Sequence, residues 1–318
     1  MSLTHEFRNF ELLKKRPLET SPELWSLFLA EMDRANNFEQ LDHPVQLDIE
    51  LNSGCNMACP FCLHGYTDIK NKNMPVLTYT RIIDEAVKIG VKSLKLNYIN
   101  EPMLRKDLED CIRYAKDAGI PNIYMVTNGT LLTKKRRQSI INSGITKIFI
   151  SIDAATEEVY NTQRLDGRFP LVVKNVSSLI QERNEMGLEF PIIRVSFLKN
   201  ALNIHEAQDF EDFWSEKADL IAFQVMDEVP DLETSLTIKK ENVSDEGCQF
   251  PFKQLVITTN GDILPCCKMS GTKLKIGNIN KITLTEAWES KFMRNLQHQH
   301  QGTGWKDNKI CADCILGK

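Results

Sequence analysis

Between Pro44 and Cys55, Val45, Leu47, Ile49 and Leu51 alternate with Gln46, Asp48 and Glu50, the period of two expected of a half-buried β-strand. Short apolar runs recur downstream with stretches of helical spacing between them. They predict strands over 93–98, 122–127, 147–153, 190–198 and 220–225, and helices over 80–89, 104–118, 133–142, 170–185 and 204–217. Parallel strands need crossovers of this kind. The expected fold is therefore α/β, a partial (β/α)6 barrel whose ligands sit at the carboxyl ends of the strands, as in related architectures.

The pattern changes in the last quarter. A strand over 255–258, an Asn260-Gly261 turn and a return strand over 262–264 read as a hairpin, and a helix over 284–295 places Trp288 and Phe292 four apart on its apolar face. With Cys248, Cys266, Cys311 and Cys314 spread through it, this segment is predicted to be a small C-terminal β-hairpin/helix iron-sulfur domain. At the other end, Leu24, Trp25, Phe28, Leu29 and Met32 form one side of a helix begun by Ser21 and Pro22, expected to cover the bottom or side of the barrel. The chain so divides into an N-terminal helical extension (1–44), the barrel (45–230), and a linker with the C-terminal domain (231–318). Residues 227–240 read as a polar loop or linker positioned to close over a substrate.

Candidate chemistry begins at Cys55, Cys59 and Cys62, in CNMACPFC. Thiolates are soft ligands suited to iron-sulfur clusters or zinc. Three of them from one loop leave one corner of a cubane cluster open, whereas a structural zinc site brings a fourth ligand. They follow the first strand, with Asn52-Ser53-Gly54 as the turn and Pro60 holding the CxxC extended. A zinc knuckle using His64 is the alternative, and it needs neither a preceding strand nor the strand-helix units behind it. Cys248, Cys266, Cys311 and Cys314 supply a complete four-thiolate set, compatible with zinc or an iron-sulfur cluster, that would tie together a segment with little core of its own. Cys267 is expected to point away from that set and Cys111 to lie on an apolar helix register, both as buried spare thiols. His298 and His300, within LQHQHQGTG, are expected to be exposed.

A CxxxCxxC loop after the first strand, with Phe61 before its last cysteine, resembles the signature of the radical S-adenosylmethionine enzymes. The resemblance implies a [4Fe-4S] cluster on Cys55, Cys59 and Cys62 whose fourth iron is chelated by S-adenosyl-L-methionine. Reductive cleavage then gives a 5'-deoxyadenosyl radical that takes hydrogen from a substrate. Asn100, Glu101 and Pro102 resemble the family's Gly-Glu-Pro segment, which implies that Glu101 holds the amino group of S-adenosylmethionine by a charge-assisted bond. Asn100 stands in the glycine's place, and the alternative reading of Glu101 is a poor cap before Met103. Thr127-Asn128-Gly129 and Ser151-Ile152-Asp153 resemble family strand ends, with Ser151 or Asp153 toward the ribose or methionine, or else capping the next helix. Arg164 and Asn175 match positions that face the methionine carboxylate or organise the loop. Arg194 shares a strand face with Ser196 and Leu198, opposite Ile193, Val195 and Phe197. Its planar fork suits the substrate or the cofactor carboxylate, or else an ion pair, and Asn200 is a further polar position. GDILPC and GNI resemble the shortened SPASM region called a twitch domain, implying one fully ligated auxiliary [4Fe-4S] cluster on Cys248, Cys266, Cys311 and Cys314.

The chain has 318 residues, a mass of 36.4 kDa and a net charge of -4, enough to bury a sizeable core. The KKRR run at 134–137 reads as a solvated face. Without aromatic-basic interleaving, the sequence argues against a nucleic-acid partner. No apolar run reaches bilayer length or forms a signal segment, and seven of the nine cysteines are assigned to clusters, which requires them reduced and fits the cytoplasm. The cysteine spacing is similar to that of the aminocyclitol (2-deoxy-scyllo-inosamine) dehydrogenase type. That similarity implies oxidation of a small carbohydrate-, cyclitol- or nucleotide-like substrate, with a base among Tyr98, Asp153 and Arg194, the auxiliary cluster as electron acceptor and a flavodoxin- or ferredoxin-like reductant. The alternatives are radical modification of a ribosomal peptide, by thioether formation or epimerisation, and a structural iron-sulfur or zinc protein.

Overall fold

The computed structural model describes residues 5–66, 69–165, 168–226, 236–237 and 246–316. A strand β1 (His5–Arg8) and a helix α1 (Pro22–Asn36) precede the strand-helix units. These run β2 (Gln46–Ile49), α2 (Val76–Ile89), β3 (Ser93–Lys95), α3 (Leu108–Asp117), β4 (Asn122–Thr127), α4 (Lys134–Ile141), β5 (Lys147–Ser151), α5 (Glu157–Gln163), α6 (Phe169–Glu185), β6 (Ile192–Lys199), α7 (Ala207–Trp214) and β7 (Leu220–Val225). The last quarter holds α8 (Phe250–Lys253), β8 (Gln254–Ile257), β9 (Asp262–Leu264), β10 (Gly277–Asn278), α9 (Leu284–Trp288), α10 (Lys291–Gln301) and α11 (Lys309–Leu316).

All ten strands form one sheet in the order β1-β7-β6-β5-β4-β3-β2-β8-β9-β10. The six strands β2 to β7 are parallel neighbours, as expected of a partial barrel. The barrel stays open because β1 lies antiparallel on β7, while β8 lies parallel on β2, with Gln254 opposite Gln46. The C-terminal hairpin therefore prolongs the barrel sheet. The expected linker over 227–240, and the division at 230, lie outside the described residues apart from 236–237.

The alternation in the strands has a different cause from the half-exposed one expected. Leu47, Ile49, Ile123, Met125, Ile148, Ile150, Ile193 and Val195 face the helices and are wholly buried. The polar residues between them are also buried, at 8% exposure for Gln46 and 0% for Asp48, because they line the barrel interior. There each finds a partner, as burial demands. Ser93 Oγ donates to Gln46 (3.1 Å), Asn122 Nδ2 to Ser93 (2.8 Å), and Lys95 pairs with Asp48 (2.9 Å). Helix α1, capped by Ser21 accepting from the Leu24 amide, closes the floor of the barrel. The Lys147 ammonium lies 5.2 Å from the Trp25 ring centroid, and Lys92 donates to both Glu31 oxygens at 2.9 and 2.8 Å.

Two further readings are corrected. The helix expected over 284–295 is two, since Ser290 caps α10 by accepting from the Met293 amide at 3.2 Å. The change of axis buries Trp288, whose Nε1 donates to the Leu41 carbonyl at 2.8 Å, but leaves Phe292 43% exposed. The KKRR run is only half solvated. Arg136 binds Glu109 at 2.6 Å and Arg137, 8% exposed, binds Glu182 at 2.5 Å. Helix α5 went unforeseen. Among the described residues no helix is long and apolar enough to cross a membrane.

Candidate functional site

Past β2 the chain is pinned before it can wander. Asn52 donates to the carbonyls of Gly54 (3.2 Å) and Glu101 (3.1 Å) and accepts from Asn100 (3.1 Å). Buried Arg105 donates to the carbonyls of Leu51 (2.9 Å) and Met74 (2.8 Å). The loop so fixed brings Cys55, Cys59 and Cys62 to the wall of a cavity of about 380 Å³ at the carboxyl ends of the barrel strands. Burial pushes the Cys55 thiol up to about 11 and raises Cys59 and Cys62 as well, although Arg164 works against the last two. Thiols held this way need a cationic metal centre to become ligating thiolates. Among the described residues no three His, Cys, Asp or Glu side chains converge on a single ion, and these three thiols stand around the cavity wall.

Glu101 projects into the same cavity. Its Oε1 accepts from Thr127 Oγ1 (2.7 Å) and the Met103 amide (3.0 Å), and its Oε2 from the Asn128 amide (2.7 Å). Burial raises its pKa while these donors oppose the rise. It also caps the Pro102–Leu104 turn, the alternative role read from the sequence, and Oε2 keeps capacity for another donor. Asn100 serves the turn, its Oδ1 accepting from the Tyr98 amide at 2.9 Å. Asn128 donates to Asn56 of the cysteine loop at 2.9 Å, and Asn175 donates to the Gly129 carbonyl at 3.0 Å. Ser151 lines the cavity at the end of β5.

Asp153 takes the left-handed backbone region, with φ 65°. Its Oδ1 accepts from the Leu198 amide at 2.8 Å and its Oδ2 pairs with Arg164. Arg164 also stands 3.8 Å from Cys59 Sγ and 5.4 Å from the Phe61 ring centroid. Tyr98 lines the cavity, but its hydroxyl donates to the Lys268 carbonyl at 2.8 Å, and burial beside Cys266 and Cys267 pushes its pKa far up. Arg194 is not on the cavity wall and forms no ion pair among the described residues. Its guanidinium packs 3.5 Å from the Phe149 ring centroid, Nε donates to Ser196 (3.1 Å), and burial lowers its pKa to about 10. Ser196 and Leu198, on the same strand face, do line the cavity. Asn200 instead donates to Gln163 at 2.6 Å. The sequence reading missed His64 as a cavity residue; its Nε2 lies 2.8 Å from the Ile99 carbonyl.

Cys248, Cys266, Cys311 and Cys314 surround a second, largely apolar cavity. A Cβ on Gly271 would sit 2.7 Å from Cys266 Sγ, so only glycine leaves that sulfur its room. Burial raises Cys248 and Cys311 to about 12. This donor set fits a fully ligated cluster. Cys314 lines both cavities. Cys267 turns into the barrel cavity, near Lys95 and Asp48, and Cys111 is buried within α3. His298 is exposed as expected, but His300 is 2% exposed and faces the second cavity, with burial holding its pKa down to about 4.

Residues 49–187 match the Radical SAM superfamily, and residues 248–315 match the SPASM iron-sulfur cluster-binding domain. The chain is 27% identical over 168 residues to a probable GTP 3',8-cyclase of Methanocaldococcus jannaschii, covering 52% of this chain and 54% of that one. The chain thus spans about half the length of that relative. A probable GTP 3',8-cyclase of Thermoplasma volcanium is 22% identical over 317 residues, covering 86% of this chain and 95% of the other. Among solved structures, BtrN in complex with AdoMet and 2-DOIA shares the fold, with a TM-score of 0.55 and 17% identity over 85% of this chain and 92% of that one.

Proposed function

Because the chain is a radical S-adenosylmethionine protein with a C-terminal cluster-binding domain, we propose that it oxidises a small polar molecule held in the barrel cavity between its two sets of cysteines. The observation that supports this reading is the position of Cys314 on the walls of both cavities, where a cluster held by that thiol would lie within reach of a molecule in the barrel cavity. When bound, the first cluster and S-adenosylmethionine supply a 5'-deoxyadenosyl radical that removes a hydrogen atom, and the second cluster accepts the remaining electron.

The chain's own groups hold and deprotonate. Glu101 Oε2, with one donor so far, receives the cofactor's ammonium. Arg164, anchored by Asp153 beside Cys59, faces its carboxylate, and Asn128 and Ser151 shape the ribose side. Of the three base candidates, Tyr98 is a protonated phenol, Asp153 is committed to Arg164, and Arg194 is a cation. His64 is the better one. The Ile99 carbonyl can only accept, so Nε2 carries the proton and Nδ1 the lone pair. As a hydroxyl-bearing carbon becomes a carbonyl, His64 Nδ1 takes the hydroxyl proton; the groups that Cys55, Cys59 and Cys62 and Cys248, Cys266, Cys311 and Cys314 would hold would take up the hydrogen atom and the electron. A flavodoxin- or ferredoxin-like protein in a reducing cytoplasm supplies the first electron.

An anaerobic screen of carbon-deuterated cyclitols, sugars and nucleosides tests the reading. Deuterium in 5'-deoxyadenosine together with a ketone is expected, and products with a new carbon-carbon or carbon-sulfur bond would replace it. His64→Gln should keep uncoupled cofactor cleavage and lose ketone formation by roughly 100-fold or more. A second reading, cyclisation of a purine nucleotide, draws on the similarity to the probable cyclase of Thermoplasma volcanium over 86% of this chain. GTP in the same assay distinguishes the two.

A further inference from the structure

The buried face of α10 is Met293, Leu296, Gln297 and His300, a helical spacing that ends on a histidine. Where α10 finishes, the segment entering Cys248 presses on it so closely that a Cβ on Gly247 would lie 2.1 Å from the His300 carbonyl oxygen. That approach delivers the Cys248 amide to His300 Nδ1 at 2.9 Å. An amide can only donate, so Nδ1 spends its lone pair there and the ring proton resides on Nε2. Nε2 is buried without a partner. His300 lines the cavity of the four thiols, whose remaining wall is mainly apolar, with Pro251, Leu274, Leu296 and Ile310.

Leaving a buried donor without an acceptor is costly, and the acceptors that would fill this cavity are sulfurs. We propose that His300 is a positioning residue for the C-terminal cluster, donating an Nε2–H···S hydrogen bond to a cluster sulfur and setting that cluster's reduction potential. Neither ring nitrogen has a lone pair free for iron, so the four thiolates remain the ligands. A donor at sulfur favours the more negative, reduced state and raises the potential. Only the presence of the cluster is required, so this inference stands or falls apart from the identity of the substrate.

The test uses anaerobically reconstituted full-length protein, with potentiometric titration followed by electron paramagnetic resonance. The C-terminal cluster is the one whose signal S-adenosylmethionine leaves unchanged. His300→Leu should disfavour reduction about tenfold, a fall of about 59 mV for one electron. His300→Gln, whose amide offers both an acceptor and a donor, should recover most of it. A native potential in His300→Leu at full iron content overturns the proposal. If that variant loses its iron, pulsed resonance of the wild-type protein carrying ¹⁵N-histidine in D₂O decides. An exchangeable deuteron with a weak nitrogen coupling supports the hydrogen bond, whereas a strong coupling typical of an iron-nitrogen bond, or no coupling, overturns it.

Discussion

Arg164 joins most of the first site. It neutralises Asp153, approaches Cys59 and lies near the Phe61 ring. Truncating it strands a carboxylate that is 1% exposed, and breaking a buried pair from one side costs about 3–5 kcal/mol. Arg164→Met should therefore lower the unfolding free energy of the metal-free protein by about that much, with Asp153→Asn in the same chain recovering part of it. Denaturant titration of the three proteins checks this, and equal loss in the single and double variants would remove the pairing as the cause. The cysteines were legible because thiolate spacing is set by metal chemistry. His300 was misread because LQHQHQ looks polar throughout, although positions 293, 296, 297 and 300 already carried the helical period. Glu101 was legible as an acid at a strand end, but its bonds to Thr127 and Asn128 join segments that only the fold brings together.

At the scale of elements, the barrel floor concentrates the cost of burying polar groups. Burial pushes Lys147 down to about 7 from an ordinary 10.5, with the Trp25 ring of α1 and the Asn122 amide oxygen as its partners. Between those values the unfolded chain binds the extra proton, so stability rises with pH across that window. The cost is complete below about pH 7 and vanishes above about pH 10.5, amounting to a few kcal/mol at about 1.4 kcal/mol per unit. Lys147→Met should stabilise the protein near pH 6 and lose that advantage toward pH 10. Unfolding free energies at the two pH values measure it, and a pH-independent difference would exclude the lysine's titration. Strands β4 and β7 fell where the apolar runs placed them. Helix α5 did not, although Thr156 followed by Glu157 and Glu158 is a start signal in its own right, with the Thr156 side chain accepting from the Val159 amide. Helix α10 was missed as a separate helix because its cap, Ser290, interrupts no apolar period.

At the scale of the whole molecule, the two thiol sets lie in distinct cavities that share the wall at Cys314. Cys55→Ala should abolish cofactor cleavage and about half of the bound iron while sparing the C-terminal cluster, and Cys311→Ala should do the reverse for iron and halt substrate oxidation. Iron analysis with resonance spectroscopy of both variants measures this, and loss of all iron from either would mean that the sites assemble as one. The strand-helix rhythm was legible from local periodicity; the partner of β8 was not, because pairing with β2 joins segments remote in sequence. Thr259 completes that join by donating from its amide (2.9 Å) and hydroxyl (3.0 Å) to Glu50. Strand β2, which leads into the radical cysteines, is consequently an inner strand only while the tail is in place. A chain cut before β8 would present the bare backbone donors and acceptors of a fully buried strand, a template for stacking against other molecules. The C-terminal segment thus also serves as the barrel's guard against self-association.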